Sequence, residues 1–315
     1  MGIVYRAEHE VSHERVAVKT VRVAHERQLE GLRREIYALG RIHHPGVVRI
    51  LAEGVHEGVP WYAMELLTGE PLSEYNRRAW ARVEGPYPDE LETRVEPTDA
   101  EARVSPPESA PAIEKVLPAA AGRLDEALIL VRQLCASLAF LHGEGIVHRD
   151  LKSANVFLCA TSGPVLIDFG LVWRFPGPMG REVLEVSAAA AGTAGYMAPE
   201  QIVGDLVDAR ADLYAVGCIL YETITGRLPF RNKPLLSKMT APPPRPSHLV
   251  SGVPRALDDL VMRLLEARPR DRIGHADDIV HAIDAILTEH VRHLPQGQQL
   301  PQVPQVPRSG EQPRA

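Results

Sequence analysis

The chain has 315 residues, 45% of them apolar, and a net charge of −6 with acidic and basic residues interspersed. A substantial core is therefore affordable, and no charge block proposes nucleic acid or an acidic membrane as partner. Apolar runs stay short of the ~20 residues of a membrane span, and the N-terminus lacks a charged-then-apolar leader, so the expected location is the cytoplasm. Cys135, Cys159 and Cys218 lie far apart in apolar runs, as reduced core thiols do.

Residues 3–23 are Val-rich and alternate, which predicts strand, with Ala17 and Lys19 on one face. From Glu26 to Gly40 the spacing of Leu29, Leu32, Ile36 and Leu39 predicts a helix closed by glycine. Val47–Leu51 and Trp61–Leu67 read as two further strands, with turns between His56 and Pro60. Residues 77–122 carry seven prolines and many charges without periodicity, which predicts a mobile insertion. Leu128, Val131, Leu134, Leu138 and Leu141 then mark a strong helix, and Leu213, Val216, Leu220 and Ile224 another. The Pro- and Gln-rich residues 294–315 cannot build a core and are expected to form a disordered tail.

The chemistry is concentrated in two runs, His148-Arg149-Asp150-Leu151-Lys152-Ser153-Ala154-Asn155 and Asp168-Phe169-Gly170. Either triplet alone is commonplace; in this order and spacing they are specific. They resemble the catalytic loop and metal-binding triplet of the eukaryotic-like, or Hanks-type, serine/threonine protein kinases in their bacterial style. The resemblance implies an α+β fold of two lobes, with a small antiparallel sheet and one helix over residues 1–67 including the hinge. A larger helical lobe is implied over 68–293, interrupted by the insertion, with ATP between the lobes.

In that family Asp150 accepts the substrate hydroxyl proton, Lys152 contacts the transferring phosphate, and Asn155 with Asp168 holds Mg2+, whose preference is for oxygen ligands. By the same resemblance Lys19 holds the α- and β-phosphates and Glu35 is its ion-pair partner. Ala17 and Phe157 border adenine, Met64 is the gatekeeper, and the backbone of Glu65 and Leu67 meets the base. Gly192 to Glu200 resembles the end of an activation segment, and Lys152 together with Thr193 is the serine/threonine pattern, which implies protein hydroxyls as substrates. Glu200 is expected to pair with Arg272, and Asp212 to hold the catalytic-loop backbone. Ser187 is the one hydroxyl between Gly170 and Gly192 and is a candidate autophosphorylation site.

One departure stands out. The family's loop G-x-G-x-x-G-x-V is represented only by Gly2 and Val4, so its first strand and two glycines are missing. A start assigned at an internal methionine would produce this text. The rival expectation is a pseudokinase-like scaffold with weak or no catalysis. A small-molecule phosphotransferase of the aminoglycoside kinase type shares the Asp and Asn logic but lacks a segment like Ala198-Pro199-Glu200. Thirteen histidines invite a metal reading, but none joins a cysteine or acidic cluster at zinc spacing. Oligomeric state is not legible.

Overall fold

The computed structural model describes residues 3–20, 36, 39–84, 123–169, 194–231 and 233–293. The expected site residues Gly2, Glu35 and Thr193, the candidate Ser187, and the tail 294–315 lie outside them.

The first lobe is a four-stranded antiparallel sheet of order β1-β2-β4-β3, built from β1 (Ile3–Glu8), β2 (Arg15–Thr20), β3 (Ile50–His56) and β4 (Val59–Glu65). The single strand expected over 3–23 is thus a hairpin. Its polar turn folds on itself: His9 N–H donates to Glu14 O at 2.9 Å, and His13 sits at φ 55°. The next hairpin is shifted from its expected bounds because Glu57 and Gly58, with φ of 49° and 77°, alone make the turn. Two left-handed residues match the twist of the flanking strands, so Val59 and Pro60 belong to β4 rather than to a loop. Ile36 and Leu39 are helical and buried, as the spacing predicts.

A short sheet, β5 (Gly69–Pro71), β6 (Val156–Cys159) and β7 (Gly163–Leu166), opens the second lobe. Its longer described helices are α1 (Leu72–Glu84), α2 (Arg123–Gly143), α3 (Arg210–Thr225), α4 (Arg255–Leu264) and α5 (Ala276–His293). All five apolar residues that predict α2 are buried, and every residue of α3 from Ala211 to Thr225 is buried. Gly226 ends α3 in the left-handed conformation, φ 74°, with its N–H on Glu222 O at 2.7 Å.

The expected insertion begins too early. Residues 77–84 continue α1, whose buried stripe, Leu72, Asn76 and Trp80, recurs every four residues. Trp80 Nε1 donates to Thr223 O at 3.2 Å, and the Arg123 guanidinium lies 4.4 Å from its ring centroid. Charged residues on the remaining face concealed this helix. Residues 85–122 lie outside the described residues.

The lobes meet where Val48 N–H donates to Leu166 O at 3.0 Å and Leu166 N–H to Gly46 O at 2.9 Å. The three cysteines are free and buried, and no described helix is long and apolar enough to cross a membrane.

Candidate active site

Asp212, near the start of α3, builds the catalytic loop from beneath. Its carboxylate accepts His148 N–H and Arg149 N–H, both at 2.8 Å, and His142 Nε2 at 2.9 Å. Gln201 Nε2 donates to Arg149 O at 2.9 Å. With its amide and carbonyl both fixed, Arg149 is held at φ 66°. Asp168 is likewise left-handed, φ 54°. Such conformations cost on the order of 1–3 kcal/mol each for a residue with a Cβ, and they persist where surrounding bonds over-determine them.

His148 lies between the two catalytic runs. Burial pushes its pKa down, so the ring is neutral; Nε2 donates to Ile167 O at 3.1 Å and the ring packs on Phe169 at 4.7 Å. The residue before Asp168 is thereby tied to the residue before Arg149.

The reactive groups converge above this frame. Asp150 Oδ2 accepts Lys152 Nζ at 3.1 Å and Asn155 Nδ2 at 3.2 Å. Asn155 Nδ2 also approaches Asp150 O at 2.8 Å and Asp168 O at 3.3 Å. Lys19 reaches across from β2 and forms an ion pair with Asp168. Because β2 lies between β1 and β4, Lys19 is on an inner strand, which excludes the plain reading of a solvated edge lysine. Tyr62, opposite Lys19 on β4, has its pKa raised by burial and then by the charge of Asp168.

Ala17 and Met64 face each other across β2 and β4, and both are buried. Val4 pairs with Lys19 on the outer strand and is half exposed. Phe157 stands on β6, partly buried, and Leu67 packs against the core. Glu65 N–H is committed to Arg49 O at 3.0 Å.

The donor set suits magnesium and a nucleotide. Asn155 spends its amide nitrogen on three acceptors, which leaves Oδ1 as its free oxygen, and Asp168 adds a carboxylate. Among the described residues no group of three or more His, Cys, Asp and Glu could cage a metal. Two protein oxygens, completed by phosphate and water, are what a Mg2+ site of this kind requires.

Away from the reacting groups, Arg272 and Glu200 form the expected pair, bidentate at 2.6 and 2.7 Å, with both side chains buried. Sequence reading missed several supports. His142 and Gln201 stand beside recognised motifs, whereas Ser153 and Tyr196 meet Glu222 of α3 only in space. Tyr196 O–H donates to Glu222 Oε2 at 2.7 Å. Lys238 carries no sequence signal.

A lysine on an inner strand, a carboxylate beside it, and an aspartate in a loop braced by amide and ammonium make up the candidate site between the two lobes. The chain belongs to the protein kinase family: the protein kinase domain matches residues 113–283. The phosphotransferase enzyme family also matches, over residues 4–173, but that match stops before Glu200, Asp212 and Arg272. The chain is 33% identical over 303 residues to serine/threonine-protein kinase Pkn1 of Myxococcus xanthus, covering 93% of this chain and 37% of that one. It is 30% identical over 296 residues to PknH of Mycobacterium bovis, covering 92% and 42%. The chain thus spans about two fifths of the length of these curated relatives. The crystal structure of the PknI kinase domain of Mycobacterium tuberculosis matches with a TM-score of 0.62 at 23% identity, covering 90% of this chain and 91% of that one, and shows the same fold.

Proposed function

We propose that this chain is a serine/threonine protein kinase that transfers the γ-phosphate of ATP to hydroxyls of protein substrates in a signalling role. The observation that carries the reading is the convergence of Lys152 and Asn155 on one oxygen of Asp150, with Asp168 and Lys19 beside them. Two donors on Oδ2 leave Oδ1 to orient an incoming hydroxyl and accept its proton. Lys152, next to that carboxylate, can follow the phosphoryl group as charge develops on it.

Lys19 would hold the α- and β-phosphates, and Glu35 would orient it. Asn155 and Asp168 would hold Mg2+, which when bound neutralises phosphate charge. Ala17, Val4, Met64, Phe157 and the backbone of Glu65 and Leu67 would surround adenine, Gly2 would approach the phosphates, and Thr193 would face the acceptor hydroxyl. Dependence on ATP and three reduced cysteines suit a cytoplasmic active site.

The test is phosphate transfer from labelled ATP to a generic basic protein by the 315-residue chain. Activity should fall about 10²–10⁴-fold in Asp150→Asn, the range of a lost general base. Transfer unchanged in Asp150→Asn, or absent from the wild-type chain and from one extended upstream, would overturn the reading in favour of a scaffold. Transfer to aminoglycosides in preference to protein would move it to the small-molecule class.

A further inference from the structure

Lys238 is buried in the one-turn helix Ser237–Thr240, yet it carries an ammonium group. Its Nζ lies 2.8 Å from each of three backbone carbonyls, those of Ala194, Gly195 and Met197. The rings of Tyr214 and Phe230 lie 5.5 and 6.0 Å away, and the Cys218 thiol meets the same Gly195 carbonyl at 3.8 Å. Among the described residues no carboxylate pairs with it, so carbonyl dipoles and ring faces are its counter-charge. Burial pulls its pKa down, but the geometry opposes that pull. Three acceptors match three N–H donors, whereas a neutral amine would turn its lone pair on one of the oxygens.

A buried charge is costly unless its hydrogen bonds fix something worth fixing. The three carbonyls lie in the stretch 194–197, whose end lines a pocket, where Tyr196 and Met197 stand beside Arg149, Asp150 and Gln201. Tyr196, inside that stretch, is tied to Ser153 and Glu222, so the catalytic loop holds it from the other side. Tyr196 and Met197 thus border the aspartate to which the proposed acceptor hydroxyl would come.

We infer that Lys238 is a positioning residue for the protein substrate: its ammonium group gathers three carbonyls and so sets the shape of the substrate-facing wall at 194–197. The inference rests on the kinase reading for its kinetic consequence, but not for its structural one. Lys238 touches neither nucleotide site nor reacting atoms and acts through the backbone it holds.

Two variants of the 315-residue chain test it, Lys238→Met, which keeps the buried volume, and Lys238→Gln, which keeps two donors. Expected is a rise of at least tenfold in the KM for a peptide substrate in Lys238→Met and a smaller rise in Lys238→Gln. The KM for ATP and the ATP hydrolysis measured without peptide should stay within twofold of wild type. Amide hydrogen exchange, which needs no activity, should quicken at least tenfold at 195–198 and remain unchanged in α3. Unchanged peptide KM together with unchanged exchange in a folded variant would overturn the inference. So would equal quickening throughout α3, or failure of both variants to fold, since Lys238 would then be an ordinary part of the core. If the wild-type chain transfers no phosphate while exchange responds as expected, the kinase reading fails and the clamp stands.

Discussion

Single residues around the site are specified by what their neighbours leave unsatisfied. His148 shows this in its pH response. Its pKa is lowered from an ordinary 6.5 by burial, so below that value the unfolded chain takes up a proton that the native ring refuses. Stability from this group is therefore full above pH 6.5 and is lost as pH falls, with a limiting slope of about 1.4 kcal/mol per unit. Denaturant unfolding of wild type and His148→Phe at a series of pH values should give the variant the flatter profile between 6.5 and 5, the wild type losing more. The convergence of Asp150, Lys152, Asn155 and Asp168 was legible because the two runs that carry them are specific in their order and spacing. Lys238 was not, because its three acceptors are backbone carbonyls, which leave no trace in the side-chain text. The pairing of Lys19 with Asp168 was also illegible, since sequence supplies the candidates for an ion pair and only the fold brings them together.

At the scale of elements, two junctions decide how the second lobe is held. Arg272 satisfies all five guanidinium N–H groups: two on Glu200 and one each on the carbonyls of Glu266, Arg210 and Ala267. A lysine keeps the charge but offers three donors without the planar fork, so Arg272→Lys should leave buried acceptors unmet and cost about 1–3 kcal/mol in urea unfolding. At the second junction a Cβ added to Gly217 would lie 2.7 Å from Leu264 Cβ and 3.1 Å from Leu265 Cδ2. Helix propensity favours alanine over glycine by about 1 kcal/mol, but overpacking costs about 1–3 kcal/mol where neither neighbour can swing away. Gly217→Ala should therefore lower Tm, although the same change in an exposed helix raises it. Period-based reading found α2 and α3 because their buried faces are apolar and continuous. The end of α1 escapes it because Asn76 and Trp80 line a narrow stripe among arginines, and the β3–β4 hairpin is displaced because Pro60, a residue type that marks loops, lies within β4.

Over the whole molecule, among the described residues, the second lobe packs around a helix with no exposed side, whereas the outer strand of the first lobe's sheet leaves Ile3, Val4 and Tyr5 about half exposed. Buried contact is what local stability follows, so hydrogen exchange should be slower in α3 than in β1. Two-lobed architecture was legible from the motif order, but this imbalance was not, since it depends on how many layers cover each element. ATP with Mg2+ at 100 times its Kd should stabilise the wild-type chain by about 2.7 kcal/mol, and calorimetry should find most of that gain missing in Asp168→Asn. The ion pair between Lys19 and Asp168 has a further consequence for how such a site loads. In this ion pair each of the two groups is the other's counterion. On the proposed function, a cation held by Asp168 would free Lys19 for phosphate, and a phosphate held by Lys19 would free Asp168 for a cation. Reciprocity of binding free energies would then make the two loadings mutually reinforcing, the pair acting as a latch that a nucleotide or a metal alone would lift only halfway.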